Sequence, residues 1–370
     1  MKKVLSLLIS LTLFTSCNAG GYNSDKNLCD VYKDYFTIGA AVNEYNMNGD
    51  LMSHFNSITA ENAMKWLSVH PSLESYTYSA ADKYIERAKE LGIGVRGHAL
   101  VWHNEKALPS VFTHVNNQLR SKDDYLALQA EHVRQVVTHF KDDVYCWDVC
   151  NEVIDDGVSP LKEDGSNIYR ESDLYKIAGR DFILEAYRVA DKTLKDLGIR
   201  DKVKLYYNDY DNTKQAKRDK TVAMLNWLIS ENAPIDGIGL QCHYHLGSFD
   251  AKALEESIEI YSSLGLDVQI TEFDVDIYDR TLAELNEYKL YSDVPESILK
   301  LHGSIYDRAF EVFRRQKDKI SNVTFWGVAD NVCYMNDNED YDYLTNYPFL
   351  FDVAERKKPA FYLITDYKDE

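Results

Sequence analysis

VYCWDVCNEV (residues 144–153) is a short run of β-branched and aromatic residues with two polar ones, Asn151 and Glu152, just before its final valine. A run of this composition reads as a strand. Seven others resemble it: FTIGAAV (36–42), NSITAEN (56–62), GVRGHALVW (94–102), VKLYYNDY (203–210), GIGLQCHY (237–244), LDVQITEFDV (266–275) and VTFWGVAD (323–330). Between them stand segments with a 3.6-residue apolar period, among them SAADKYIERAKELG, DYLALQAEHVRQVVTHF, FILEAYRVADKTLKDLG and AKALEESIEIYSSLG, several of which close on the glycine that stops a helix. Eight strand–helix units without a long linker predict an α/β chain folded as a single (β/α)8 TIM barrel, because parallel strands need helical crossovers and closure removes the sheet edges. An open doubly wound sheet is the alternative, but there is no GxGxxG after the first strand and no GxxxxGK[ST], so nothing points to a nucleotide fold.

The chain has 370 residues, a length that such barrels reach as one domain, and a formal net charge of −19. That charge argues against nucleic acid or an anionic membrane surface as partner, since both demand clustered Lys and Arg. A neutral polysaccharide is compatible. At the N-terminus, Lys2 and Lys3 precede an apolar stretch from Val4 to Phe14 and the small residues Thr15 and Ser16 before Cys17. This is the pattern of an export signal, too short for a transmembrane helix. FTSC followed by NAGGYNSDKN resembles a bacterial lipobox. The expected organisation is a lipoprotein-type signal over 1–17, a flexible tether over 18–30 and a catalytic barrel over 31–370. The membrane contact would be a lipid on Cys17, and the location a bacterial cell envelope or surface; with ordinary signal cleavage the protein would instead be secreted. A monomer is expected.

The remaining cysteines, Cys29, Cys146, Cys150, Cys242 and Cys333, form an odd set without CxxC spacing. Cys146 and Cys150 lie four apart in one strand, about 13 Å between Cα atoms, too far for a disulfide. His98, His103, His243 and His245 make no compact ligand motif, so neither a metal nor a cofactor is expected.

In a barrel, polar residues at the carboxyl ends of strands face the catalytic side. Asn62 closes the second run, His98 and Trp102 the third, Asn151 and Glu152 the fourth, Asn208 the fifth, Gln241 and His243 the sixth, Glu272 the seventh, and Trp326 and Asp330 the eighth. Carboxylates on the fourth and seventh strands would face each other across the mouth. Glycoside hydrolysis needs such a pair, one protonating the leaving oxygen and the other stabilising or attacking the anomeric carbon; a gap of about 5–5.5 Å retains configuration, and roughly 6.5–9.5 Å inverts it.

WDVCNEVIDDG and ITEFDVDIY resemble the WDVxNE and TELD signatures of the xylanases of glycoside hydrolase family 10. The likeness runs through GAAVN, TAENAMKW, GVRGHALVWHNE, YYNDY, GIGLQCHY and TFWGVAD to PFLFDVAERKKPAFYLI, nearly everything after residue 35. It implies a retaining endo-β-1,4-xylanase acting on xylan and xylo-oligosaccharides, with Glu152 as general acid/base and Glu272 as nucleophile. It also implies that Asn151 bonds the sugar 2-hydroxyl, that His243 and Gln241 hold Glu272 ionised, and that Glu61, Asn62, Lys65, His98 and Trp102 contact xylose hydroxyls on the glycone side. Trp326 would pack on the sugar at the cleavage point. Asn208 is a further binding candidate, although a strand-end Asn also caps helices.

The sequence departs from the family pattern in three places. WHNE replaces WHSQ, so Glu105 brings an extra carboxylate toward the glycone side. Tyr334 and Met335 stand where a tryptophan and an arginine are usual, which predicts a looser roof over the nucleophile's subsite. The following loop, NDNEDYDYLTNY, is longer than usual, acidic and rich in tyrosine. Two other readings share the likeness: a related retaining β-glucanase, and a catalytically dead barrel that holds glycan at the cell surface. The intact pair Glu152 and Glu272 counts against the second.

Overall fold

Small and β-branched side chains build the strands β1 (Thr37–Val42), β2 (Ser57–Ala60), β3 (Gly94–Gly97) and β4 (Cys146–Asn151) in the computed structural model, which describes residues 26–336 and 338–367. β5 (Lys204–Asp209), β6 (Gly237–Leu240), β7 (Asp267–Asp276) and β8 (Ile320–Phe325) complete the set. Each pairs in parallel with the next, and β8 pairs back onto β1 through Ile38↔Val323 and Ala40↔Phe325, so the ring closes. The fold is the single (β/α)8 barrel expected.

Six long helices cross over outside: α1 (Ser79–Leu91), α2 (Lys122–His139), α3 (Asp181–Asp196), α4 (Gln215–Ser230), α5 (Ala251–Ser263) and α6 (Glu296–Arg315), with α7 (Pro359–Thr365) after β8. α1 shows the general rule. It buries Ala81, Ile85 and Ala88, one stripe at helical spacing, and stops at Gly92, whose φ of 68° lies in the left-handed region that favours glycine. Between β1 and β2 only a 3₁₀ turn, Asp50–His54, stands in for a helix.

Two strands are interrupted where they reach the catalytic face. The third run breaks after Gly97, and Val101–Trp102 then rejoins the sheet by pairing with β4, Trp102 opposite Asn151. The sixth breaks after Leu240, and His243–His245 pairs with β7, His243 opposite Asp274. The eighth strand ends at Phe325, three residues into the expected 323–330 run, so Trp326 to Asp330 lie in the loop beyond it.

The barrel interior is polar beneath the site. Fully buried Arg96 donates through both terminal nitrogens to Asp148, and its Nε–H reaches Gln269 Oε1 at 2.8 Å. Asp148 also holds His98 Nδ1 at 2.8 Å. An ion pair this deep survives because its donors and acceptors are matched.

The expected boundary at residue 31 needs correction. Leu28–Val31 forms a helical turn, Leu28 is fully buried, and its backbone N–H donates to His54 Nδ1 at 3.2 Å. Residues 28–30 therefore pack with the barrel and are no tether. Tyr32 closes the same end, stacking on Phe36 at 5.2 Å and donating its hydroxyl to the carbonyl of Ile364 in α7. The expected signal, the lipobox cysteine Cys17 and the tether up to residue 25 lie outside the described residues. Among the described residues no helix is long and apolar enough to cross a membrane, and no group of three or more His, Cys, Asp or Glu is placed to hold a metal ion.

Candidate active site

The carboxyl ends of the strands surround a cleft of about 580 Å³. Glu152 stands at the first residue past β4 with φ 56°, a left-handed backbone that a non-glycine residue adopts at a cost and that turns its side chain toward the mouth. Its backbone N–H is held by the Asn208 carbonyl at 2.9 Å. Its carboxylate accepts from Trp102 Nε1 at 2.8 Å and from Gln241 Nε2 at 3.0 Å. Glu272, 5% exposed on β7, accepts from Asn208 Nδ2 at 2.7 Å and faces His243 Nε2 at 3.2 Å.

An amide chain joins the two carboxylates. Asn151 Oδ1 accepts from Asn208 Nδ2 at 2.9 Å and from Gln241 Nε2 at 3.4 Å, while Asn208 Oδ1 is fixed by the Thr271 hydroxyl at 2.5 Å. With its oxygen occupied from below, Asn151 has its amide nitrogen left for a ligand in the cleft it lines.

The two glutamates titrate in opposite directions. Burial raises Glu152, and the negative charges of Asp209 and Glu272 add to this, outweighing the hydrogen bonds from Gln241 and Trp102. Burial also pushes Glu272 up, but the hydrogen bond from His243, the nearby His98 and the donor Asn208 hold it below its ordinary value. His243 would be lowered by burial; Asp274 and Glu272 on either side raise it to about 10, so it stands as an imidazolium beside Glu272. A protonated acid beside an ionised carboxylate is the division of labour that paired catalytic carboxyls need.

Of the residues that the sequence placed at the site, Glu61, Asn62, Lys65, His98, Trp102, Asn151, Glu152, Gln241, His243, Glu272, Trp326 and Tyr334 line the cleft, and Asn208, Asp330 and Glu105 do not. Asn208 is fully buried below it and caps no helix; it positions Glu272 and Asn151. Glu61 Oε1 accepts from Asn62 Nδ2 at 3.1 Å, and Lys65 donates to Asn62 Oδ1 at 2.8 Å while lying 5.0 Å above the Trp102 ring. Burial lowers Lys65, against the pull of Glu272, Glu61 and Glu152. Trp326 stands edge-on to His98 at 5.3 Å.

Gln241 departs from its expected role: its side chain serves Glu152 and Asn151, not Glu272. Only its backbone carbonyl meets Glu272, accepting the N–H at 3.1 Å. Asp330 lies away from the cleft, paired with Lys358 Nζ at 2.8 Å and capping the Phe349 N–H. Glu105 faces a neighbouring hollow shared with His103, His114 and Asp173. Met335 is buried, its sulfur against Asn346 Nδ2 at 3.2 Å, so no wall opens there. The long loop fills the space instead, bringing Asn338, Asp340 and Tyr341 to the cleft.

Sequence reasoning passed over Tyr210 and the charges behind it. Tyr210 lines the cleft and donates to Asp156 Oδ2 at 2.5 Å; Lys217 binds Asp156 and Asp209, both at 2.8 Å. The signal was the YYNDY run itself, where Asn208 points inward and Asp209, one residue on, points to the opposite face.

The family model described as Glycosyl hydrolase family 10 matches residues 27–367. A beta-1,4-xylanase of Dictyoglomus thermophilum is 39% identical over 350 residues, covering 92% of this chain and 91% of that one. An endo-1,4-beta-xylanase A of Caldicellulosiruptor saccharolyticus is 37% identical over 344 residues, covering 91% and 95%. The crystal structure of an endo-1,4-beta-xylanase from Caldicellulosiruptor owensensis superposes with a TM-score of 0.81 at 36% identity, covering 92% of this chain and 99% of that one.

Proposed function

The chain belongs to glycosyl hydrolase family 10 and is a glycoside hydrolase of the endo-1,4-beta-xylanase kind, and from that premise we propose that it cleaves internal bonds of xylan with retention of configuration. Glu272 attacks the anomeric carbon as Glu152 gives its proton to the leaving oxygen, so the glycosidic bond breaks as a glycosyl ester forms. Glu152, now a carboxylate, then takes a proton from water, whose oxygen displaces Glu272 from the same carbon. Two inversions restore the β configuration.

The observation that carries this reading is the unequal environment of the two carboxylates. Glu272 has a charged histidine and an amide donor, which stabilise an anion able to attack. Glu152 is buried near two other negative charges, Asp209 and Glu272, which favour its proton. Asn151, between them, has an amide free to bond the sugar 2-hydroxyl, an interaction that tightens as positive charge grows on the ring. The glycone side falls to Glu61, Asn62, Lys65, His98 and Trp102, and Trp326 offers an apolar face to the sugar.

Proton NMR of the first product tests the stereochemistry: a β-anomer is expected on xylohexaose, and an initial α signal would mean that water attacks directly. Release of reducing ends from xylan but not from mixed-linkage glucan is expected in the same preparation. We also propose that the enzyme is exported and held at the cell envelope or surface by a lipid on Cys17, on the strength of LFTSC after the apolar leader. Cys17→Ala should then leave the protein in the soluble fraction.

A further inference from the structure

Tyr334 lines the cleft from the loop after β8, and its hydroxyl makes contacts that a sugar platform alone would not need. It donates to Asp274 Oδ2 at 2.9 Å and lies 3.2 Å from His243 Nδ1. Asp274 Oδ1 is 3.0 Å from that same Nδ1, and His243 Nε2 is 3.2 Å from Glu272 Oε2. The hydroxyl thus stands at the head of a continuous line: Tyr334, Asp274, His243, Glu272. Asp274 is fully buried, so each of its oxygens depends on a protein donor. It sits two residues from Glu272 on β7, on the same face of the strand.

The long loop after β8 secures the tyrosine. Tyr341 OH lies 3.2 Å from Tyr334 OH, and Arg280 ties the neighbouring Asp342 at 2.9 Å to Asp276 at 2.6 Å, the last residue of β7.

We propose that Tyr334 is a positioning residue for the nucleophile: its hydroxyl fixes Asp274, and through it His243, in the orientation that keeps Nε2 on Glu272. This rests on the reading of Glu272 as nucleophile. The tyrosine acts on Glu272 through two intervening groups, Asp274 and His243, and the long loop, through Tyr341, becomes part of the support of the catalytic centre.

The charged and titratable neighbours determine what its loss should do. Glu272 faces His243, His98, Lys65 and Glu152. Asp274 faces His243, Asp276, Tyr334 and Tyr341, with Tyr306 of α6 and the thiols of Cys242 and Cys333 also close. Without the tyrosine donor, Asp274 is a stronger base toward the proton it shares with His243. The imidazole then moves toward neutrality, and Glu272 loses the cation that favours its charged form.

The test uses full-length enzyme and a dinitrophenyl 2-deoxy-2-fluoro-β-xylobioside, whose leaving group needs no general acid, so that the rate of covalent labelling against pH reports the nucleophile's side alone. Parent enzyme should label on Glu272, located by mass spectrometry. In Tyr334→Phe, which keeps the ring and removes the hydroxyl, the acidic limb should move up by about 0.5 pH unit, with the plateau rate within about tenfold of the parent. Asp274→Asn should move the same limb in the same direction and further. A labelled parent with an unmoved limb in Tyr334→Phe overturns the role of Tyr334, and should that variant not fold, an unmoved limb in Asp274→Asn overturns it equally. A parent that does not label on Glu272 overturns the double-displacement reading itself.

Discussion

Glu152 and Glu272 are the same side chain in different company, and removing each should fail in a different way. Glu272→Ala leaves no atom to form the glycosyl ester, so hydrolysis of every substrate should fall to background. On the proposed roles, Glu152→Ala removes only the proton donor to the leaving oxygen. Xylan cleavage should drop by about 10²–10⁴, whereas formation of the glycosyl-enzyme from a dinitrophenyl xyloside should persist, seen as a burst of phenolate. Equal loss on both substrates in both variants would contradict the assignment. The site was legible in the sequence because a buried strand has no reason to carry Asn151 at its end, Glu152 just beyond it or Glu272 within it unless something is bound there. The partners of those residues were not legible. Gln241 and His243 lie two residues apart in GIGLQCHY, but the strand breaks after Leu240 and Cys242 between them takes a φ of 57°, so that one reaches Glu152 and the other Glu272. Asn208 was open for the same reason, since strand-end asparagines cap helices as readily as they hold carboxylates.

The eight strands and their order followed from alternating runs and helical periods, yet their ends on the catalytic side did not. GVRGHALVW and GIGLQCHY each read as one strand because composition carries no record of a break. The breaks after Gly97 and Leu240 are what place Trp102 and His243 in the mouth. Gly97 itself is a packing requirement: a Cβ there would run into the Trp147 ring of the adjoining β4. Gly97→Ala should cost about 1–3 kcal/mol, read as a lowered thermal midpoint, because the buried indole has no space to withdraw into. An unchanged midpoint would mean that β3 and β4 slide apart freely. The link from β5 to α4 carries a second expectation. Asp209 closes β5, pairs with Lys217 of α4 and is the largest charge raising Glu152. Asp209→Asn removes that negative charge and leaves the Lys217 cation, so Glu152 should ionise more easily and the alkaline limb of kcat/KM on xylan should move to lower pH by about 0.5 unit. A limb that stayed in place would show that burial alone keeps Glu152 protonated.

At the scale of the whole molecule, folding buries histidines in neutral form, and this sets how the barrel meets acid. His132 of α2 is fully buried, stacked on Trp66 at 3.7 Å, with its Nδ1 3.2 Å from His70 Nδ1. Burial, with His70 adding to it, holds His132 well below its ordinary value, and burial lowers His70, His302 and, to about 4, His54. The unfolded chain takes up these protons as pH falls through about 6.5, while the folded chain refuses them until far lower. Their contribution is therefore complete above that value and lost progressively below it, by at most about 1.4 kcal/mol per pH unit for each such histidine. His243 works in the opposite sense at the other end of the scale, its stabilisation present below about 6.5 and lost as pH rises through about 10. The Trp66–Val69 turn that rests on His132 directly follows Lys65, so acid should loosen the glycone wall of the cleft with the core. His132→Phe keeps a flat ring in the stack and removes the titrating group. At neutral pH the variant is expected to be less stable than the parent, having lost the bond to His70. On acidification from pH 7 to 4.5 the parent's midpoint in guanidinium should fall more steeply than the variant's, so that the two curves converge or cross. Parallel curves would show that His132 does not carry the acid sensitivity of the fold.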